Sequence, residues 1–229
     1  MKINYQLLLE KELSQLSGTP RLLLHACCAP CSSYVLEYLT KYFDITLYFY
    51  NPNITDRAEY DKRAAELDRL IHELPHENPI RLIVCEHEPA KFFALSSGME
   101  TLPEGGARCF ACYRERLTAT ADYMAAHRDE YDYFATTLTV SPHKNAAKLN
   151  EIGGELVAAM DLRWLPSDFK KREGYKRSIE LSAEYGLYRQ DYCGCPYSQS
   201  WRSANTGEFQ PCRQVAGIPQ AETAETSDS

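Results

Sequence analysis

An apolar run that ends in cysteines is the feature that most constrains how this chain can fold. Arg21-Leu22-Leu23-Leu24-His25-Ala26 shows no polar alternation, the pattern of a strand covered on both faces, and leads straight into Cys27-Cys28-Ala29-Pro30-Cys31. Three further runs read as strands: Asp44 to Tyr50, Ile80 to Cys85, and Tyr131 to Val140. Helical patterns separate them. Residues 3–16 form one, ended by Gly18 and Pro20, and Ser32 to Tyr42 form another with Val35, Leu36 and Leu39 on one face. Asp56 to His72, Glu88 to Ser97, the stretch from Cys109 to His127, and a segment from Asn145 to Met160 complete the set.

Strands alternating with helices predict an α/β fold, a parallel sheet between layers of helix. In such sheets sites gather where strands hand over to helices, so the first cysteine group and the loop Ser141-Pro142-His143-Lys144-Asn145 are expected on one face. We read 1–160 as the α/β core and 161–215 as a small C-terminal helical and irregular extension. Residues 216–229, acidic and polar, are expected to be a disordered tail. No run approaches the roughly 20 apolar residues of a membrane span. Met1 to Gly18 has no apolar core followed by a small-residue cleavage site, so a cytoplasmic location is expected.

In that reducing compartment nine cysteines are not a disulfide framework. Seven fall in three groups: Cys27, Cys28 and Cys31; Cys109 and Cys112; Cys193 and Cys195. Cys85 closes an apolar run and reads as a small buried hydrophobe, and Cys212 stands alone. Grouped thiols in such a protein point to metal or redox chemistry. A structural zinc site takes two CxxC knuckles, and the adjacent pair Cys27-Cys28 suits zinc poorly. Pairing it with Cys109 and Cys112 supplies the four thiolates of a [4Fe–4S] cluster. Cys31 is then left over, as a replacement ligand, a ligand to a second mononuclear metal, or a buried thiol. Cys193-Gly194-Cys195 suits a redox-active dithiol, because glycine lets the backbone turn tightly enough to bring two sulfurs together. Electron delivery of this kind needs a proton donor, and His25, His143, Asp191 and Tyr192 are the candidates.

The formal charge of −7 disfavours a non-specific nucleic-acid coat. Arg163, Lys170, Lys171, Arg172, Lys176 and Arg177 are nevertheless clustered, and from charge alone they read as a solvated helix face.

Five motifs arrive together in order: His25 to Ser32 (HACCAPCS), Tyr50 to Ile54 (YNPNI), Arg108 to Arg114 (RCFACYR), Thr137 to Lys144 (TLTVSPHK) and Tyr192 to Cys195 (YCGC). They resemble the QueH family of epoxyqueuosine reductases over residues 20–200. The resemblance implies an iron–sulfur oxidoreductase for the final step of queuosine biosynthesis, reducing epoxyqueuosine at the wobble position of tRNA with electrons from an external donor. It implies cluster ligands at Cys27, Cys28, Cys109 and Cys112, a redox pair at Cys193 and Cys195, and Cys31 and Asp191 as candidates for a non-cysteine ligand and a neighbouring second metal. It also implies a fold similar to adenine-nucleotide α-hydrolases, with ATP use lost because cysteines occupy the phosphate loop. In that light the basic stretch 163–177 is expected to contact tRNA phosphates, with Trp164, Phe169 and Tyr175, and Trp201 with Arg202, near the bases. The rival from another class is a non-catalytic zinc-binding module that interacts with RNA. A PP-loop tRNA thiolase is a second rival, but it requires a glycine-rich phosphate loop, and His25 to Ser32 contains no glycine.

Overall fold

A computed structural model describes residues 3–198. Four parallel strands, β1 (Arg21–His25), β2 (Asp44–Phe49), β3 (Ile80–Val84) and β4 (Tyr133–Thr136), form one sheet in the order β3-β2-β1-β4. The register sets Leu24 beside Leu47 on one side and Ala135 on the other. Among the described residues seven complete α-helices accompany it: α1 (Tyr5–Ser14), α2 (Ala29–Leu39), α3 (Arg57–Glu73), α4 (Pro89–Ser96), α5 (Ala107–Ala126), α6 (Ala146–Met160) and α7 (Gly174–Glu184).

The unbroken leucines of β1 explain the layering. Side chains alternate across a strand, so Leu22 and Leu24 enter the core made with α1, α2 and α3. Leu23 points the other way, into the core made with α5 and α6. All three are fully buried, each contributing on the order of 2 kcal/mol through lost apolar exposure. Helix ends follow local chemistry. Asn4, Asp56 and Asn145 accept amide hydrogens at the starts of α1, α3 and α6.

Two boundaries differ from the sequence reading. The run Tyr131 to Val140 is a strand only to Thr136, and Thr137–Val140 form a 3-10 turn. Its neighbour β1 stops at His25, so the ladder has no partner past Thr136. Thr136 Oγ1 takes the Leu138 amide instead, at 3.1 Å, which fixes the turn. Helix α2 begins at Ala29 and not Ser32, because Pro30 is tolerated in a first helical turn. Cys31 therefore sits inside that turn.

The extension after Met160 shares the core up to residue 198. Phe134 accepts from Leu165 and donates to Arg163 O, both at 2.9 Å, which adds one more bridge beyond β4. Leu165, Phe169 and Leu187 enter the same core as α1 to α3. Residues 199–215 of the extension and the tail 216–229 lie outside the described residues, as do Trp201, Arg202 and Cys212. Among the described residues no helix is long and apolar enough to cross a membrane.

Candidate active site

Loops at the carboxyl ends of β1, β2 and β4 meet above the sheet. The first carries Cys27 and Cys28, the latter extended (φ −175°) at the start of α2. The sulfurs of Cys27, Cys28 and Cys31 all lie within 4.8 Å of one another, with 3.7 Å between Cys27 and Cys28. Thr137 Oγ1 approaches Cys27 Sγ at 3.8 Å. Three sulfurs this close share charge unequally. The Cys27 and Cys31 thiols turn toward Cys28 and draw it well below the ordinary thiol range. The Cys28 contact pushes Cys27 up to about 12, against a lowering by Cys31, and contacts with Cys27 and Cys28 push Cys31 well above its ordinary value, with burial raising both.

The second group stands on the first turns of α5, behind the loop Glu104-Gly105-Gly106. Arg108, fully buried, gives its Nη1 to the carbonyls of Met99, Glu100 and Leu102 at 2.8, 2.9 and 2.6 Å and so fixes the chain entering the helix. Gly105 donates its amide to Cys109 Sγ at 3.2 Å. Burial pushes the Cys112 thiol upward.

The third group is held by its backbone. Asn53 Nδ2 donates to Cys193 O at 2.8 Å, the Thr55 amide to Gly194 O at 3.4 Å, and Arg63 Nη2 to Tyr192 O at 3.3 Å. Gly194 has φ +92° and lies so close to Ile54 that a Cβ would stand 2.6 Å from Ile54 Cγ1. The pair is asymmetric. A hydrogen bond from Cys195 and then the charges of Lys144 and Arg116 draw Cys193 well below the thiol range, despite its burial. Cys195 is pushed up by the same hydrogen bond and by burial.

Two cavities join these groups. One of about 170 Å³ is lined by Cys27, Cys31 and Cys193, with Lys144, Tyr175 and Asp191 among its other walls. One of about 20 Å³, room for roughly one water, lies against Cys109, Cys112, Cys193 and Cys195. Cys193, Glu104, Arg116 and Lys144 border both. The three cysteine groups thus converge from three regions of the chain. Soft sulfur donors, gathered and backed by buried cations, form the donor set that iron–sulfur or zinc chemistry takes. Arg63 and Arg116 are 2 % and 3 % exposed. Arg63 pairs with Glu59 at 2.6 Å and Lys144 with Glu104 at 3.7 Å, whereas Arg116 donates to Asn51 Oδ1 and to Cys112 O. The residues fit an anionic metal group.

Of the candidate proton donors, His143, Asp191 and Tyr192 line the larger cavity. His25 does not. It is fully buried between Thr136 Oγ1 (2.9 Å) and Tyr50 O (3.1 Å), and burial, then the Arg116 charge, lower its pKa to about 3. It is a neutral packing histidine whose Nε2–H serves the carbonyl.

The basic stretch is largely paired within the fold. Lys170 meets Asp168, Arg172 meets Glu10, Lys176 meets Glu173, and Arg177 meets Glu37, while Arg163 lies over the Tyr133 ring. Phe169 is in the core and Trp164 packs edge-on against Phe134, so Tyr175 is the aromatic of that stretch that reaches the cavity. Cys85 sits apart at the end of β3, half-buried.

Sequence reasoning missed Asn51, Asn53, Arg63, Arg116 and Lys144. A signal existed for Arg116: it falls on the buried face of α5 with Cys112, Tyr113, Leu117 and Thr120, at the spacing of core residues.

A family model described as epoxyqueuosine reductase QueH matches residues 22–201. A Staphylococcus epidermidis protein named epoxyqueuosine reductase QueH is 44% identical over 86% of this chain and 85% of its own length. One of the same name from Streptococcus pyogenes serotype M1 is 42% identical over 86% of this chain and 78% of its own. A more distant one, from Thermotoga maritima, is 33% identical over 77% of this chain and 88% of its own.

Proposed function

The chain belongs to the epoxyqueuosine reductase QueH family, and from that membership we propose how its own residues carry the reduction. It is an oxidoreductase of queuosine biosynthesis, acting on a tRNA, with a metal cofactor on clustered cysteines. The finer reading is that Cys27, Cys28, Cys109 and Cys112 hold a [4Fe–4S] cluster, with Cys31 and Asp191 the candidates for a non-cysteine ligand and a neighbouring second mononuclear metal. When bound, such a cluster supplies one-electron transfer.

Reductive removal of an epoxide oxygen takes two electrons and two protons and releases the oxygen as water. A dithiol going to a disulfide yields both. Cys193, drawn toward thiolate on the cavity wall, is the reactive member, and Cys195 behind it is the partner that closes the bridge. An external electron donor then restores the pair. His143, Asp191 and Tyr192, which line the cavity, are the candidate proton donors. The substrate is the wobble nucleoside of tRNA, and the face bearing Arg163, Lys170, Lys171, Arg172, Lys176 and Arg177 meets its phosphates. Tyr175 supports that choice, because it lies among these residues and also lines the cavity.

The observation that carries the reading is Cys193, which borders one cavity with Cys27 and Cys31 and another with Cys109 and Cys112. The test is purification without oxygen, with visible spectrum, iron, sulfide and zinc content, and turnover of epoxyqueuosine-tRNA. A brown protein with about four irons per chain and turnover lost in Cys193→Ser but iron retained is expected. A colourless, zinc-loaded protein after anaerobic reconstitution overturns the redox reading and favours the zinc-module alternative. Charge reversal of Lys170, Lys171 and Arg172 with unchanged tRNA binding removes the proposed contact face.

A further inference from the structure

Arg116 is a buried cation whose own fold supplies no anion. Its guanidinium donates to Asn51 Oδ1 at 3.2 Å and to the Cys112 carbonyl at 3.4 Å, both neutral acceptors. Among the described residues no carboxylate lies within ion-pairing distance of it, in contrast to Arg63 with Glu59 and Lys144 with Glu104. A buried charge left without a counter-ion costs several kcal/mol.

Sulfur lines both cavities that Arg116 borders, Cys27 and Cys193 in one and Cys112 and Cys193 in the other. Burial disfavours its charge, and Cys112, Cys27 and Cys193, one from each cysteine group, act the other way and hold it above its ordinary value. It also borders both cavities, so it stands between the groups rather than beside one of them. Guanidinium keeps its proton under all working conditions, which makes it a fixed charge and not a switch.

We infer that Arg116 is the internal counter-charge of the metal centre and sets the reduction potential of the iron–sulfur cluster. The inference rests on the cluster reading above. A four-iron cluster on four thiolates is an anion, and reduction adds one more negative charge. A cation fixed beside it in a dry site favours the reduced state over the oxidised one, so removing that cation lowers the potential. Arg116 is thus a positioning and tuning residue, not a group that touches substrate.

The test compares Arg116→Gln, which keeps a hydrogen-bonding end and loses the charge, with Arg116→Lys, which keeps the charge. The readouts are iron and sulfide content, circular dichroism, and a redox titration of the anaerobic protein followed in the visible and by electron paramagnetic resonance. In Arg116→Gln the oxidised-to-reduced ratio at a fixed potential is expected to rise at least tenfold, equivalent to a midpoint lower by about 59 mV for one electron. Arg116→Lys should stay close to the parent. A folded Arg116→Gln protein that loses its cluster where Arg116→Lys keeps it also supports the inference, since charge is then needed to hold the anion. A four-iron Arg116→Gln protein with the parent's midpoint overturns it. Loss of the cluster in both variants overturns it too, because the requirement is then for shape. If the parent protein itself takes up no iron and sulfide, the cluster reading is what has failed, and the inference falls with it.

Discussion

Gly194→Ala probes whether the dithiol loop depends on its contact with the Asn51 to Ile54 turn. Two penalties add at this position. Its φ of +92° is one that a side chain rarely adopts, at a cost of roughly 1–2 kcal/mol. The new Cβ would also stand 2.6 Å from Ile54 Cγ1 and 3.1 Å from Ile54 Cα and Cβ. The Cα cannot swing away as a side-chain end can, so overpacking adds roughly 1–3 kcal/mol. Together these reach roughly 2–5 kcal/mol, less than or comparable to the whole stability of a domain of this size. The loop is therefore expected to open locally while the sheet stays folded. The Thr55 amide, which donates to Gly194 O, reports that opening. Its hydrogen-exchange protection should fall by roughly 30-fold or more, since about 1.4 kcal/mol is a factor of ten. The Ser32 amide in α2 should not change. Gly105→Ala is the control: its φ is +85° but nothing lies within 4 Å of a Cβ, so it carries strain without collision. Equal losses in the two variants would show that the Ile54 contact contributes nothing. Parent-like protection and turnover in Gly194→Ala would refute the reasoning altogether.

Three further outcomes are expected. Within α6, a Cβ on Gly153 would meet the Trp164 indole at 2.4 Å while one on Gly154 meets nothing; Gly153→Ala should lower stability by roughly 1–3 kcal/mol and Gly154→Ala raise it by roughly 0.5–1 kcal/mol in urea unfolding. Glu66 accepts from Arg69 and from the Tyr188 amide, and these bonds hold its carboxyl below the usual range. Its contribution is complete above the unfolded value near 4.5 and is lost as pH falls through the lower folded value, so Glu66→Gln should be less stable at neutral pH and show a flatter acid slope. An unchanged slope would argue against that carboxylate as a clamp on the 185–192 segment. Lys144→Met removes a buried cation that favours the Cys193 thiolate, and alkylation of Cys193 in the reduced protein at neutral pH should slow by roughly three- to tenfold.

Much of this architecture was readable from residue order. Long apolar runs without polar alternation gave the parallel strands, and Asp56 and Asn145 marked the helices that follow. Tyr131 to Val140 misled because Thr137, Leu138, Thr139 and Val140 have strand character and are all buried. What ends that strand is the length of a neighbour far away in sequence, which no local window contains. The cysteine groups were legible as chemistry because so many closely spaced thiols seldom occur in a chain without a metal or redox task. That two groups pair was expected from their chemistry; that Cys193 borders both was not, since it depends on which loops the sheet order brings together. Asn53 and Arg116 were harder still. Each is a single polar residue whose role comes from burial, and only the arginine left a trace, by falling on an apolar helix face.

The backbone clamp on the dithiol loop has a consequence in time. Asn53 and Cys193 are 140 residues apart, and closing so long a loop is among the slower events in folding. A chain growing from its amino end presents Cys27, Cys28 and Cys31, and later Cys109 and Cys112, before the segment that roofs them has been made. The centre is thus built floor first and roof last. Asn53, Thr55 and Arg63 can take the three carbonyls of that loop only once it has been made, so this clamp is among the last contacts of the site to form.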